Sequence, residues 1–287
     1  MDLRFRLLNV FSIDGDPFSG NPLCVFEDAD ALTDRQMQAW ARQFNLSETT
    51  FVTATRAESD DLAEADVRIF TASYEMPFAG HPTLGTAHVV AAPAGGIDAV
   101  ALSMPAGRIP VRRVDGGWRL RANPARARPV RATAPELAEV LGTRPEAVVP
   151  DGGRWVDSGV EQLIVELADG EAVRSCQPDP RGMRARLSVP GREPQVYVWA
   201  RTAESMITAR FFAVSGSALE EDAATGSAAA NLGGWLALTG RRDELITISQ
   251  GDQVARPSRL VLSIDYAGTV WVGGQVTDVG SGAVHAG

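Results

Sequence analysis

The chain has 287 residues, of which 45% are hydrophobic and 22% are charged, and its formal net charge is -9. This composition is typical of a folded globular protein, and the length favours two domains over one. The negative net charge excludes a protein that binds nucleic acid independently of sequence, because such a protein needs a basic surface. All 27 basic residues are arginines, which excludes chemistry that depends on a lysine Schiff base.

The cysteines and histidines form no recognisable metal or redox motif. Cys24 lies in the apolar run Leu23-Cys24-Val25-Phe26 and is predicted to be a small buried hydrophobe, and Cys176 is far from it in sequence. The three histidines include no helical i, i+4 pair, so we expect no zinc or iron site. No apolar run approaches the roughly 18 residues of a membrane span, and no leader pattern is seen. We therefore expect a cytoplasmic protein without membrane partners.

In the first half of the chain, strands alternate with helices. Period-two patterns predict strands over 4–12 and 23–27, joined by a turn-rich loop. Thr33 is expected to cap a helix, because Gln36 follows three residues later as in a capping box. Apolar residues at helical spacing predict that this helix lays one face on a core; they are Met37, Trp40, Ala41 and Phe44. The corner Leu46-Ser47-Glu48 then precedes a β-branched strand over 49–55.

The rest of the chain repeats this alternation. After a strand over 67–72 and a helix over 81–92, three further strands lead to an arginine- and proline-bearing candidate linker at 123–129. Beyond it we predict a helix over 134–141, ended by Gly142, and a helix over 226–238. The remaining apolar segments predict strands, at 162–167, 195–200, 208–213, 245–249, 259–265 and 269–276. The pattern predicts two related α+β domains.

Two turns rich in small residues each open a predicted helix. They are Gly80-His81-Pro82-Thr83-Leu84-Gly85 and Thr225-Gly226-Ser227-Ala228-Ala229-Ala230. Glycine lets the backbone approach a ligand closely, and the first turn of a helix offers unpaired N–H groups and a favourable dipole to anions. Because the two turns lie about half the chain apart, we interpret them as two similar halves that clamp one small carboxylate.

Several segments together resemble one known family. They are FSIDGDPFSGNPLCVF at 11–26, NLSETTFV at 45–52, IFTASYEMPFAGHPTLG at 69–85 and EDAATGSAA at 221–229, with Gln250-Gly251 and Arg256-Pro257-Ser258 as a further match. These motifs, in this order and over about residues 10–260, resemble the phenazine-biosynthesis isomerase family, the PhzF family. Several motifs in sequence are far more specific than any one of them.

The resemblance implies the fold of diaminopimelate epimerase. In that fold, two similar domains each wrap a curved mixed β-sheet around a central helix, and the active site lies in the interdomain cleft. We accordingly expect an N-terminal domain over 1–122, joined by a C-terminal strand at about 268–287, and a C-terminal domain over 123–267. The family also suggests a homodimer.

The family's type enzyme isomerises trans-2,3-dihydro-3-hydroxyanthranilate without metal or organic cofactor, so the resemblance implies neither here. Carried over by motif, Glu48 would be the general acid/base, and His81 and Asp222 would be the other catalytic residues. The implied substrate-binding residues are Gly80, Gly226, Ser227 and Asn21. The implied partner is a small carboxylic acid.

The chemistry of these residue types is sensible, although each has a structural alternative. A carboxyl group can take a proton from one carbon and return it to another if an apolar cleft raises its pKa towards neutrality. Glu48 could instead be a solvated loop acid, and His81 or Asp222 could be no more than helix caps. Ser227 could line the site or merely occupy the first turn of its helix.

Two departures bear on the function. Ala223 stands where the family usually has proline, so the loop before the second helix could be less rigid. The related racemases use a cysteine on each side of the substrate, whereas Ala79 and about Ala223 stand at those places, which disfavours an epimerase or racemase of that type. Beside the isomerase, two alternatives stay open: a non-catalytic binder of a small acid, and a Ser-His hydrolase. The hydrolase is the weaker, because no Gly-x-Ser-x-Gly elbow is present.

Overall fold

The computed structural model describes residues 2–59, 62–93 and 97–285. Contacts within the chain divide it into two compact units. The N-terminal unit comprises Met1–Arg121 and Gly273–Gly287, and the C-terminal unit comprises Ala122–Val272. The predicted domain limits, 1–122 with about 268–287 and 123–267, stay a prediction.

The secondary structure mixes helices with many strands, which confirms the α+β class. The α-helices are α1 (Asp34–Phe44), α2 (Gly80–Ala91), α3 (Ala134–Leu141), α4 (Gly170–Ser175), α5 (Pro180–Leu187) and α6 (Gly226–Leu238). The strands are β1 (Asp2–Ser12), β2 (Asn21–Phe26), β3 (Glu48–Ser59), β4 (Leu62–Phe70), β5 (Glu75–Met76), β6 (Ala99–Met104), β7 (Gly107–Val114), β8 (Gly117–Arg121), β9 (Arg126–Pro129), β10 (Val148–Asp157), β11 (Glu161–Leu167), β12 (Gln195–Ala203), β13 (Met206–Ser215), β14 (Ala218–Asp222), β15 (Glu244–Gln250), β16 (Ser258–Ile264) and β17 (Val270–His285).

In the N-terminal unit the strands form a closed ring around α2. The ring runs β17-β1-β2-β3-β4-β6-β7-β8 and returns to β17, with parallel pairing between β2 and β3 and between β4 and β6. Helix α2 contacts seven of these strands and is buried along most of its length. The strands approach it closely where it carries no side chain: a Cβ atom on Gly85 would lie 2.5 Å from Leu23 Cδ2. Burial around most of the helix is expected in such a core.

Helix α1 covers the outside of this ring and directs the chain into β3. The predicted capping box between Thr33 and Gln36 is confirmed, and the helix ends at Asn45, whose φ of 52° is left-handed. The predicted apolar face is also confirmed, with Met37 buried and Phe44 packed edge-on against Phe26. This ending turns the chain so that β3 begins at Glu48.

In the C-terminal unit one sheet carries helices on both faces. The strands pair in the order β9-β10-β11-β12-β13, and β13 then pairs with both β14 and β15, which is followed by β16. Helices α3, α4 and α5 bury one face, where Val196, Val198 and Phe212 belong to their core. Helix α6 lies on the opposite face, where Trp235 meets Trp199 edge-on.

The predicted elements differ from the structure mainly in the C-terminal unit. Helices α3 and α6 have the predicted bounds. The predicted linker at 123–129 is partly wrong, because β9 lies within it and pairs with β10. Helices α4 and α5 were not predicted: the six residues of α4 are too few to show a helical period, and α5 buries only Met183 and Leu187.

Candidate functional site

The predicted acid/base residue lies at the entrance of a strand in the N-terminal unit. Glu48 is the first residue of β3 and is aligned with Leu23 in the parallel pairing of β2 with β3. Asn21 is the first residue of β2 and is buried. Parallel pairing therefore brings Asn21 and Glu48 to the same end of neighbouring strands.

The glycine turn of α2 meets this strand end. Gly80 and His81 are the first two residues of α2, which has no side-chain cap and no acidic residue in its first turn. His81 Nε2 lies 3.5 Å from Glu48 Oε2, and the two side chains are 7% and 16% exposed. The N-terminal unit thus brings together four of the predicted site residues, Asn21, Glu48, Gly80 and His81.

The contact between His81 and Glu48 is not an ordinary ion pair, because the imidazole is neutral. Burial lowers the pKa of His81 to about 3, although a hydrogen bond with the backbone of Pro22 opposes this shift. Proline has no N–H, so the imidazole donates to the carbonyl of Pro22. Within the residues that the structure describes, Nε2 has no hydrogen-bond partner. The proton therefore resides on Nδ1, and Nε2 presents a lone pair towards the carboxyl group of Glu48.

The other predicted site residues lie in the C-terminal unit, around the start of α6. Asp222 ends β14, and its Oδ2 accepts a hydrogen bond of 2.6 Å from Thr225 Oγ1. Gln250 Nε2 donates both to the carbonyl of Asp222 at 2.9 Å and to Thr225 Oγ1 at 3.0 Å. A Cβ atom on Gly251 would lie 2.5 Å from the carbonyl of Ala223. The loop that contains Ala223 is therefore held by side-chain hydrogen bonds and close packing.

The first turn of α6 resembles that of α2. Gly226 and Ser227 are its first residues, and the helix has no side-chain cap and no acidic residue in its first turn. Ser227 Oγ accepts a hydrogen bond of 3.1 Å from Gln162 Nε2. Gln162 Oε1 in turn accepts one of 2.9 Å from Asn231, whose Oδ1 accepts one of 2.6 Å from Ser158 Oγ. This buried chain orients the hydroxyl of Ser227, whose own proton is available to donate.

Sequence reasoning missed the two glutamines that hold the C-terminal group. In the sequence, Gln250 stands out only as part of a motif match, and Gln162 lies in a strand that also carries Glu161 and Glu166, where no local pattern indicates its role. That the group around Glu48 and the group around Asp222 serve one substrate stays a prediction, as do the individual roles of these residues.

The cysteines have no role in either group. Cys24 and Cys176 are buried, as predicted for Cys24, and burial raises the pKa of each thiol to about 12. Among residues 2–59, 62–93 and 97–285, no group of three or more histidine, cysteine, aspartate or glutamate residues could hold a metal ion. Across these same ranges, every helix is too short or too polar to span a bilayer.

Comparison with known proteins identifies the family. The sequence model of the PhzC-PhzF family, described as phenazine biosynthesis-like protein, matches residues 9–282. The chain is 37% identical over 282 residues to an uncharacterised isomerase of Pasteurella multocida, covering 97% of this chain and 92% of that protein. It is 33% identical over 285 residues to the trans-2,3-dihydro-3-hydroxyanthranilate isomerase of Pseudomonas aeruginosa, covering 92% and 91% of the two chains.

Solved structures show the same fold at lower identity. A PhzF-family phenazine biosynthesis protein of Bacillus anthracis superposes with a TM-score of 0.82 at 20% identity, with both chains fully covered. A probable proline racemase of Agrobacterium radiobacter superposes with a TM-score of 0.61 at 12% identity, covering 99% and 93% of the two chains. Together with the match over residues 9–282, these findings establish that the chain belongs to the PhzC-PhzF family and is an isomerase of that type.

Proposed function

We propose that this isomerase moves a proton, and with it a double bond, in a small cyclic or unsaturated carboxylic acid, using Glu48 as the general acid/base. The relative in Pseudomonas aeruginosa bears the name of an isomerase acting on trans-2,3-dihydro-3-hydroxyanthranilate. An identity of 33% supports the same class of reaction, so that acid and its analogues are the first substrates to try.

The observation that carries the proposal is the shielded contact between Glu48 Oε2 and the neutral imidazole of His81 at 3.5 Å. A carboxylate can break a C–H bond of the substrate and hold the proton as an O–H group. The O–H group exchanges its proton with solvent and then protonates a different carbon, so that the carboxylate is regenerated and no other reagent is consumed. The lone pair on Nε2 faces this carboxyl group and can accept a hydrogen bond from its protonated form.

The other predicted residues would bind the substrate. The uncapped first turns of α2 and α6 expose the amides of Gly80 and His81 and of Gly226 and Ser227, which suit a carboxylate. Asn21 would contribute an amide side chain near Glu48. Asp222, which Thr225 and Gln250 hold in place, would accept a hydrogen bond from a polar group of the substrate.

The test is isomerisation in D2O, followed by NMR. The wild-type protein should introduce deuterium at the carbon that receives the proton, and Glu48→Gln should lower turnover by a factor of roughly 10² to 10⁴, since an amide cannot carry the proton. Glu146→Gln, at a carboxylate whose side chain is 75% exposed, should leave turnover unchanged.

Retention of the wild-type rate by a folded Glu48→Gln protein would show that another group transfers the proton. Thermal stabilisation by the acid with no conversion or exchange would instead indicate the binding protein considered above. Labelling of Ser227 by a serine-directed inhibitor would favour the hydrolase.

A further inference from the structure

A buried tyrosine lies two strands away from Asp222, in the core of the C-terminal unit. Tyr197 on β12 is completely buried. In the described part of the chain its hydroxyl group has no hydrogen-bond partner. An unpaired buried hydroxyl lowers the stability of the folded state, and phenylalanine would avoid this cost at nearly the same volume. The hydroxyl therefore calls for a role beyond packing.

Strand pairing places this tyrosine in one row with Asp222. Tyr197 on β12 is opposite Phe211 on β13, and Phe211 is opposite Asp222 on β14. Directly opposed residues project from the same face of a sheet, so all three side chains lie on one face. With about 4.8 Å between neighbouring strands, the backbones of Tyr197 and Asp222 are about 10 Å apart.

The residues two positions before and after Tyr197 connect this face of β12 to helix α6, the first through Gln162 on β11 and the second directly. Two residues before Tyr197, Gln195 Oε1 lies 3.5 Å from Gln162 Nε2, the same amide that donates to Ser227. Two residues after it, Trp199 meets Trp235 on α6 edge-on. The phenol is thus enclosed between the sheet and the helix that begins at Gly226.

The surroundings keep the phenol protonated. Burial raises the pKa of Tyr197 well above its usual value, and the negative charge of Asp222 raises it further. The hydroxyl group is therefore a permanent donor within the electrostatic range of the Asp222 carboxylate. In a core of low dielectric constant, such a dipole interacts more strongly with a charge than it would in water.

We propose that Tyr197 is a positioning residue, whose O–H dipole stabilises the ionised carboxylate of Asp222 from inside the core. Its effect on catalysis rests on the proposed function, whereas its effect on Asp222 does not. Tyr197 acts through Asp222 and does not itself touch the substrate.

The first test is the pH profile of kcat/KM for Tyr197→Phe, which removes only the hydroxyl. The acidic limb that belongs to Asp222, identified by its loss in Asp222→Asn, should move to higher pH by roughly half to one unit, because the carboxylate has lost a stabilising dipole. Trp199→Phe is the matched control, since it removes a second buried donor, an indole N–H without a described partner, from the same face of β12. It should leave the profile in place. In an Asp222→Asn background, Tyr197→Phe should have no further effect on the profile.

The second test needs no activity. The ultraviolet resonance Raman bands of Tyr197, obtained as the difference between wild type and Tyr197→Phe, should change when Asp222→Asn is introduced and stay constant in Glu48→Gln. Unchanged bands in Asp222→Asn would overturn the proposal, as would a more stable Tyr197→Phe protein with an unaltered pH profile. Failure of Glu48→Gln to lower turnover would contradict only the proposed function, because the Raman result does not depend on it.

Discussion

His81 Nε2 lies 3.5 Å from Glu48 Oε2, although Glu48 belongs to the ring of strands and His81 to the helix inside it. Glu48 begins a strand and His81 begins the helix that the strands enclose. The hydrogen bond from the imidazole to the Pro22 carbonyl leaves the Nε2 lone pair facing the carboxyl group. The backbone at the start of β2 thus determines which nitrogen of His81 meets Glu48.

The buried neutral state of His81 should make the protein less stable in mild acid. Burial lowers the pKa of His81 from 6.5 to about 3, so below pH 6.5 the unfolded chain binds a proton that the folded protein does not. Above pH 6.5 the contribution of His81 to the free energy of unfolding is constant. Below pH 6.5 the free energy of unfolding falls by up to about 1.4 kcal/mol for each pH unit, down to about pH 3.

Urea unfolding at pH 7.0, 6.0 and 5.5 measures this dependence. His81→Asn should flatten the curve, because it removes the group that titrates only when unfolded. His285→Asn, at a side chain that is 85% exposed, should keep the wild-type slope. Equal slopes in wild type and His81→Asn would show that His81 becomes protonated within the folded protein.

Substitution by valine at two neighbouring threonines should change the free energy of unfolding in opposite directions. Thr49 Oγ1 is buried and, in the described residues, has no hydrogen-bond partner, whereas Thr50 Oγ1 lies 2.8 Å from Thr86 Oγ1. Thr49→Val should raise the free energy of unfolding by about 1 kcal/mol, since it removes an unpaired hydroxyl. Thr50→Val should lower it by about 1–3 kcal/mol, because the hydroxyl of Thr86 loses that partner. Chemical denaturation of both variants measures the difference, and a shared sign would contradict this reasoning.

Substitution of Gly251 by alanine should reduce stability and activity more than the same substitution at Gly240, whose backbone conformation is similar. Gly251 has a φ of +87°, and a Cβ atom there would lie 2.2 Å from the carbonyl oxygen of Arg256. Gly240 has a φ of +92°, but nothing lies within 4 Å of its Cβ position. Gly240→Ala should cost about 1–2 kcal/mol of stability through its left-handed backbone alone.

Gly251→Ala should lower the stability further, because the clash adds to that strain and displaces the loop that follows Asp222. We expect kcat/KM to fall at least tenfold in Gly251→Ala and to stay within twofold in Gly240→Ala, from steady-state kinetics at a temperature where both are folded. Equal losses in the two variants would show that the close packing of this loop is unimportant.

Ser227 should contribute to binding more than to chemistry. Ser227 Oγ accepts a hydrogen bond from Gln162 Nε2. The O–H proton of Ser227 is therefore directed to another acceptor. Loss of a hydrogen bond to a charged group costs about 1.5–3 kcal/mol, so Ser227→Ala should raise KM at least tenfold with little change in kcat. Ser158→Ala, at the far end of the same hydrogen-bonded chain, should leave KM near the wild-type value. A fall in kcat alone for Ser227→Ala would assign it to the proton-transfer step.

Local signals explain why some elements could be predicted and others could not. The capping box at Thr33 and the helix end at Gly142 depend on a few adjacent residues, and the structure contains both. Strand β9 depends on a partner, β10, that lies more than twenty residues away, so its arginine- and proline-bearing sequence looked like a linker. Gln250 has its role only because β15 ends beside the loop after Asp222.

The amino-acid sequence by itself determined the α+β class, the helices that begin at the two glycine turns, and the family, because caps, glycines and ordered motifs are local properties of the chain. Only the tertiary structure decided which side chains meet. Helix α2 is enclosed by a ring of strands, and this burial is what brings His81 to Glu48 and keeps its imidazole neutral. Burial and strand pairing depend on residues far apart in sequence, so no local pattern specifies them.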